Sequence, residues 1–288
     1  MQKLLITGAS GFLGWHLCQL AQQNWEVYGT YHNQPATLPG ATLLPIDLTD
    51  SASVRSLFQT LQPDAVIHAA AISSPNLCQS DPERSHRMNV IASLELAERC
   101  EAAQIPCVFT SSELVFDGLN PPYKESDPVC PINLYGEQKA AAEAGMLDRC
   151  SRMLVCRMPL MFGVAPAPSF LQPFIQQLRS GQPLNLFIDE FRTPVSGGDA
   201  AAGILLMMQR RGLIHLGGKE RMSRYEFGCL LAEALQLPNA NLNPCRQADV
   251  PMSAPRAPDV SMDSTLAFSL GYRPAAVRDE LHRLLNPT

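Results

Sequence analysis

The sequence predicts an α/β fold, a doubly wound parallel sheet with helices on both faces and a smaller C-terminal part built onto it. Three observations predict this. Short apolar runs alternate with segments of helical periodicity through the first two-thirds of the chain. A glycine-rich turn separates the first apolar run from the first helix. After residue 158 the texture changes, with clustered prolines and shorter apolar runs.

The elements follow in order. Lys3–Thr7 is a short apolar strand, and Phe12, Leu13, Leu17 and Leu20 share one face of a helix over Phe12–Gln23. Glu26–Tyr31 and Thr42–Ile46 read as strands two and three, Ser51–Leu61 as a helix and Ala65–Ala69 as strand four. Pro82–Ala103 reads as one long helix that Pro106 stops. Cys107–Ser111 is strand five, Leu134–Cys150 an alanine-rich helix and Met153–Arg157 strand six. Right-handed crossovers join parallel strands of this kind. The C-terminal part reads as helices over Phe170–Arg179, Ser196–Arg210, Ser223–Leu235 and Val277–Leu285, with a short strand at Leu213–Leu216. Asn239–Pro258 reads as loop.

Composition excludes several classes of function. The 288 residues are 46% hydrophobic and 17% charged, which suits one large folded domain or two intimate ones and not a disordered chain. The net charge is −5 with no basic run, so nucleic acid is not an expected partner. The longest apolar stretch, Ala200–Met208, falls short of the roughly 20 residues that span a bilayer. No signal-like segment precedes the first strand, so a cytoplasmic protein is expected. The nine cysteines are odd in number and lack C-x-x-C spacing, so neither a metal site nor a disulfide framework is expected. They read as small buried hydrophobes of a reducing compartment.

Three motifs carry chemistry. The first is the turn Thr7-Gly8-Ala9-Ser10-Gly11-Phe12-Leu13-Gly14. Gly8 permits the tight turn, Gly11 lets backbone approach a pyrophosphate, and Gly14 lets the helix pack close to the strand. The helix N-terminus then offers free N–H groups to the phosphates of a dinucleotide. The second is Tyr135-Gly-Glu-Gln-Lys139, whose ends share a helix face. A lysine ammonium beside a phenol is expected to lower the phenol pKa and make it a proton donor and acceptor near neutral pH. The third is Ser111-Ser112 at the end of strand five, where open α/β sheets gather ligands and a hydroxyl can hydrogen-bond a carbonyl oxygen. Strand two ends in Tyr31-His32-Asn33 without the acid that commonly holds a ribose 2′-hydroxyl, so NADP(H) is favoured over NAD(H), with His32 facing a 2′-phosphate. The expected division is a Rossmann-type dinucleotide-binding domain over residues 1–158, to which 196–216 return, and a substrate-binding part over 159–195 and 217–288.

The glycine turn, the strand-end serine and Y-x-x-x-K together resemble an extended short-chain dehydrogenase/reductase. Within that superfamily the chain most resembles the dTDP-4-dehydrorhamnose reductase family. The resemblance rests on Ser112–Gly118 (SELVFDG), Tyr123–Lys139, His68-Ala69-Ala70-Ala71 and Met88-Asn89-Val90. It continues through Phe191-Arg192-Thr193-Pro194, Asp199, His215–Gly218, Ser223–Phe227 and Pro255–Asp263. It implies a reductase of a keto group on a nucleotide-linked sugar. Tyr135 is then the proton donor, Lys139 tunes it and holds the nicotinamide ribose, and Ser112 polarises the carbonyl. Gly8, Ser10, Gly11, Phe12, Leu13 and Gly14 would wrap the pyrophosphate, and Asp47 and Leu48 would contact adenine. Tyr31, His32, Ala69, Ala70, Ala71, Asn89 and Ser111 complete the expected cofactor set. Glu113 and Leu160 are expected at the substrate, with Arg192 and Arg256 on its diphosphate.

The chain also departs from that family's pattern. Leu160 and Leu114 stand where it has aromatic residues, and Arg157-Met-Pro-Leu160 is closer to the regulatory subunit of methionine adenosyltransferase. The alternatives are therefore a nucleotide-sugar epimerase and a cofactor-binding regulatory subunit. A homodimer through the helices over Pro82–Ala103 and Leu134–Cys150 is the expected assembly.

Overall fold

The computed structural model describes residues 1–33, 38–167 and 169–286. The first half alternates strand and helix: β1 (Lys3–Thr7), α1 (Phe12–Ala21), β2 (Glu26–Tyr31), β3 (Ala41–Pro45), α2 (Ser51–Leu61) and β4 (Ala65–His68). Then come α3 (Pro75–Ser80), α4 (Pro82–His86), α5 (Ala92–Ala103), β5 (Cys107–Ser112), α6 (Leu134–Arg149) and β6 (Met153–Met158). The second half holds β7 (Met161–Phe162), α7 (Leu171–Arg179), β8 (Leu184–Phe187), β9 (Phe191–Arg192), β10 (Val195–Ser196) and α8 (Gly197–Met207). It ends with β11 (Gly212–His215), β12 (Met222–Ser223), α9 (Arg224–Ala234), β13 (Leu242–Cys245), α10 (Thr265–Ser269) and α11 (Val277–Leu285).

Seven strands form one parallel sheet in the order β11-β6-β5-β4-β1-β2-β3. Successive side chains of a strand point to opposite faces, and β1 shows the consequence. Leu4 and Ile6 join Leu17 of α1 and Ala200 and Ile204 of α8 on one face. Leu5 joins Leu57 of α2, Ala97 of α5 and Met146 of α6 on the other. All of these side chains except Leu57, at 7%, are fully buried. A separate apolar core, centred on Leu171, Leu184, Phe227, Leu231 and Leu281, binds α7, β8, α9 and α11 together. Chain order reverses between β1 and β4, so the glycine turn after β1 opens into a crevice at the sheet's C-terminal edge.

Several elements differ from the sequence expectation. The helix expected over Pro82–Ala103 is broken by a π-helical turn over Arg87–Ile91. Asn89 points inward there, accepting from the Ile72 N–H at 2.8 Å and donating to Gln138 Oε1 at 2.8 Å. Such widened turns let a side chain leave the helical ladder's usual spacing. Helix α3, capped by Ser74, precedes it and is too short to show periodicity. In the stretch expected as loop, β13 pairs in parallel with β8 despite Pro244. Two-residue pairings β7–β10 and β9–β12 form small ladders separate from the seven-stranded sheet.

One buried ion pair ties α6 to the sheet. Glu143 accepts from Arg157 Nε at 3.0 Å and from Nη2 at 2.8 Å, both side chains being 95% or more buried. His215 Nε2 lies 3.4 Å from Arg157 Nη1, and His215 Nδ1 lies 3.1 Å from the Tyr123 carbonyl. Removing one partner strands the other charge away from water. Arg157→Met is expected to cost about 3–5 kcal/mol in urea unfolding. The double variant Arg157→Met/Glu143→Gln is expected to be less destabilised than that single variant.

Candidate active site

A cleft of about 520 Å³ opens over the C-terminal ends of β1, β4 and β5. Its floor is the glycine turn. Gly8 has φ +71°, and an added Cβ would meet Ala70 backbone at 2.8 Å. A Cβ on Gly14 would meet the Gly8 carbonyl at 2.1 Å, so only glycine lets α1 start this close to the strand. Ser10, Gly11, Phe12 and Leu13 line the same end. Gly11 stands at the N-cap of α1 without a side-chain cap, leaving the helix's first N–H groups free for an anion.

The far wall is made by Tyr31, His32, Asp47 and Leu48, and the near wall by Ala69, Ala70, Ala71, Ser111, Tyr135 and Lys139. His32 Nε2 lies 3.9 Å from Asp47 Oδ2, with both side chains about half exposed. The Thr7 hydroxyl holds the β4 exit by accepting from the Ala70 N–H at 3.2 Å, and it lies 2.6 Å from His68 Nδ1. Burial pulls His68 down to about 3, so it is a neutral structural ring. The Ser111 hydroxyl is buried on the cleft wall with no partner. An extended cleft with a glycine cradle at one end and an unsatisfied hydroxyl at the other fits a dinucleotide.

Tyr135 and Lys139 line the β5 end of this cleft, and the Ser112 hydroxyl lies beside the Tyr135 phenol. Asn133 caps α6 by accepting from the Gly136 N–H at 2.9 Å. A Cβ on Gly136 would meet the Leu114 carbonyl at 2.1 Å. Gly136 therefore lets α6 lie directly on the turn that follows Ser112, which brings the Tyr135 phenol beside the Ser112 hydroxyl. Ser112 also accepts from the Leu114 N–H at 3.2 Å, which fixes its rotamer. Lys139 is 2% exposed, and its Nζ lies 4.1 Å from the centre of the Phe109 ring.

The electrostatics overturn one expectation. Burial raises the Tyr135 phenol above its usual range, and the neighbouring Ser112 only partly offsets this. Burial also pulls Lys139 down to about 7, against the pull of Glu143. Desolvation is the largest influence on both groups and disfavours both charged forms. The phenol is thus held protonated at neutral pH.

One residue expected in the cofactor set, Asn89, stands elsewhere, and the residues expected at the substrate lie outside the dinucleotide cleft. Asn89 is buried behind the cleft and fastens the Ile72 backbone, so it shapes the wall without lining it. Leu160 lies outside the dinucleotide cleft, its carbonyl accepting from the Val195 N–H at 3.1 Å. Arg192 lies inside the protein, its Nε 3.1 Å from Glu113 Oε1. Thr30, Arg84, Met88 and Met161 also line the cleft. No local motif marks them, because they come from separate elements that only the fold brings together.

The Lys139 shift has a measurable consequence. Below about 7 both the folded and unfolded chain carry the ammonium, and above the ordinary lysine value of about 10.4 neither does. Between these limits only the unfolded chain is protonated, so rising pH favours the folded state. From pH 7 to 9 the wild type is expected to gain stability over Lys139→Met by up to about 1.4 kcal/mol per pH unit. Urea unfolding of the cofactor-free proteins measures this.

Comparison with known proteins agrees with the architecture. The chain is 32% identical over 282 residues to methionine adenosyltransferase 2 subunit beta of Xenopus laevis, a match covering 94% of this chain and 83% of the relative. It is 29% identical over 288 residues to a probable low-salt glycan biosynthesis reductase of Haloferax volcanii, covering 97% and 96%. The structure of a hypothetical dTDP-4-dehydrorhamnose reductase from Sulfolobus tokodaii matches with TM-score 0.84 at 27% identity, over 96% of this chain and 98% of that one. The Bacillus anthracis dTDP-4-dehydrorhamnose reductase in complex with NADP matches with TM-score 0.89 over 100% of both chains, at 20% identity. That likeness is one of fold. The family model for the RmlD substrate binding domain matches residues 1–288, and the chain belongs to that family.

Proposed function

We propose that this protein is an NAD(P)H-dependent reductase of a keto group on a nucleotide-linked sugar. The observation that carries the reading is that Tyr135 and Lys139 line one end of a dinucleotide-shaped cleft, with the Ser112 hydroxyl beside the Tyr135 phenol. A bound nicotinamide supplies hydride to the carbonyl carbon, and the chain supplies orientation and a proton. Ser112 hydrogen-bonds the carbonyl oxygen and draws off electron density. Tyr135, kept protonated by burial, gives its proton to that oxygen as negative charge develops there. Lys139 stands one turn further along α6 on the same helix face and steadies the deprotonated phenol that results.

For the cofactor, the reading favours NADP(H). The β2 exit carries no acid, while His32 and Arg84 bring basic groups to the adenosine end of the cleft. A homodimer would place α5 and α6 against their copies. The exposed Leu147 lies on α6, and the exposed Ile91 lies in the π-helical turn that leads into α5. Among the described residues no helix is long and apolar enough to cross a membrane, and no group of side chains is arranged to hold a metal ion. The nine cysteines are free.

The identity to methionine adenosyltransferase 2 subunit beta supports a second reading, a cofactor-binding subunit without turnover. One experiment separates them. NADPH and NADH oxidation is followed spectrophotometrically with dTDP-4-dehydrorhamnose and a panel of nucleotide-linked keto sugars. The wild type is expected to oxidise NADPH, and Tyr135→Phe to lose about 10²–10⁴-fold in kcat with NADPH affinity retained. Tight NADPH binding with no turnover across the panel would sink the reductase reading in favour of the binding subunit.

A further inference from the structure

The dinucleotide cleft lies at the C-terminal edge of the sheet, and a second cavity opens at the opposite edge. It has a volume of about 460 Å³ and lies between α2 and α5, where the chain turns into β4 and β5. It shares no lining residue with the cleft. Helix spacing explains which side chains meet there. Arg55, Phe58, Gln59 and Gln62 recur at intervals that keep them on one side of α2, and Arg99, Ala102 and Ala103 do the same on α5. Pro63 and Ile105 complete the lining. Phe58 and Ile105 also pack against the core beneath the sheet, so the apolar wall is anchored. The small side chains of Ala102 and Ala103 leave the room between the two helices.

The charge in this cavity is one-sided. Two arginines line it, and no aspartate or glutamate does. Arg99 Nε is withdrawn from water and has no hydrogen-bond partner. The carboxylate oxygen that it faces, Glu95 Oε1, stands 3.8 Å away and already accepts from the Ser51 hydroxyl at 2.5 Å. An orphaned buried donor is costly and marks a place where an acceptor belongs. The helix ends do not supply one. The Leu61 carbonyl accepts from Lys3 Nζ at 3.0 Å, and the Phe58 carbonyl accepts from the Gln62 N–H at 3.0 Å. The Glu101 carbonyl accepts from Gln104 Nε2 at 2.8 Å. The Arg99 side chain as a whole is 31% exposed and Arg55 is exposed, so a ligand can reach both.

We propose that this cavity is a second ligand site, which takes a small aromatic carboxylate, its carboxylate held by Arg99 and Arg55 and its ring laid on Phe58, Pro63 and Ile105. A guanidinium matches a carboxylate through two parallel N–H donors. The apolar wall favours a ring that leaves water. Concave sites of this size, mainly apolar with a few convergent polar groups, are where small molecules bind. The site is independent of the reductase reading, because it uses no residue of the cleft and lies at the other edge of the sheet from Tyr135.

The test is calorimetric titration with 1-naphthoate, and with uncharged 1-naphthylmethanol as its neutral counterpart, with and without excess NADPH. The wild type is expected to bind 1-naphthoate roughly tenfold more tightly than the alcohol, with the same affinity when NADPH is present. Arg99→Met is expected to bring 1-naphthoate down to the affinity of the alcohol. Arg99→Lys keeps the charge without the fork and is expected to fall between wild type and Arg99→Met. Ala103→Leu keeps both arginines and fills the room between the helices. Position 103 is exposed and leucine is a good helix former, so this variant is expected to lose binding with its melting temperature unchanged. It keeps the test valid if Arg99→Met fails to fold. A wild type that binds no 1-naphthoate would overturn the site. Displacement of 1-naphthoate by NADPH would do the same, since it would put the ligand in the dinucleotide cleft. Wild-type affinity in folded Arg99→Met or Ala103→Leu protein would also overturn it.

Discussion

The burial of one ammonium group organises the active site. Lys139 is almost wholly withdrawn from water, on a helix packed against the middle of the sheet. A buried cation tends to give up its proton, and here the tendency is opposed on two sides. The face of Phe109 lies under the ammonium, and Glu143 stands one helical turn further on. Arg157 binds Glu143 there through three hydrogen bonds. A line of polar groups thus runs from the cleft, through α6, to β6 and on to His215 at the sheet's edge. The same desolvation that pulls Lys139 down keeps the Tyr135 proton in place. In the proposed reaction Tyr135 gives up its proton, so burial, which would hinder a phenolate base, suits a phenol donor.

Close backbone approach gives this electrostatic arrangement its precision. Gly14 brings α1 against the Gly8 carbonyl, and Gly136 brings α6 against the Leu114 carbonyl. One contact shapes the cradle for phosphates, and the other brings phenol and serine together. Neither leaves room for a methyl group. Such contacts hold a site more rigidly than side-chain hydrogen bonds between exposed groups, because backbone has no rotamers to sample.

What was legible in the sequence followed from range. The glycine turn and the Tyr135–Lys139 spacing are local, and each reads its own chemistry within eight residues or fewer. The strands and long helices of the sheet were legible because apolar periodicity reports burial on a regular lattice. The two-residue strands, the parallel β8–β13 pair and the six-residue α3 were not, since none is long enough to show a period. The break in the helix before α5 was hidden because Asn89 looks like any polar residue on a helix until Ile72 and Gln138 are seen around it. The tyrosine shift was misjudged for a related reason. Spacing reports which groups are neighbours and says nothing of how far water is excluded, and exclusion of water decided the sign.

The cleft and the charged cluster beside it are built on different physics. The cleft is lined by residues at the C-terminal ends of the strands, close in sequence to the strands that carry them. The cluster consists of long charged side chains from positions 113, 190, 192, 224 and 256, brought together by short pairings such as β9–β12 and the Phe191–Asp259 bridge. Substitutions in such a cluster redistribute charge among the remaining members without disturbing the glycine turn. The balance inside the cluster also constrains it. Arg192 can be saturated only while Glu113 and Glu190 both face it, so any added or lost charge must be met by Arg224, Arg256 or a ligand.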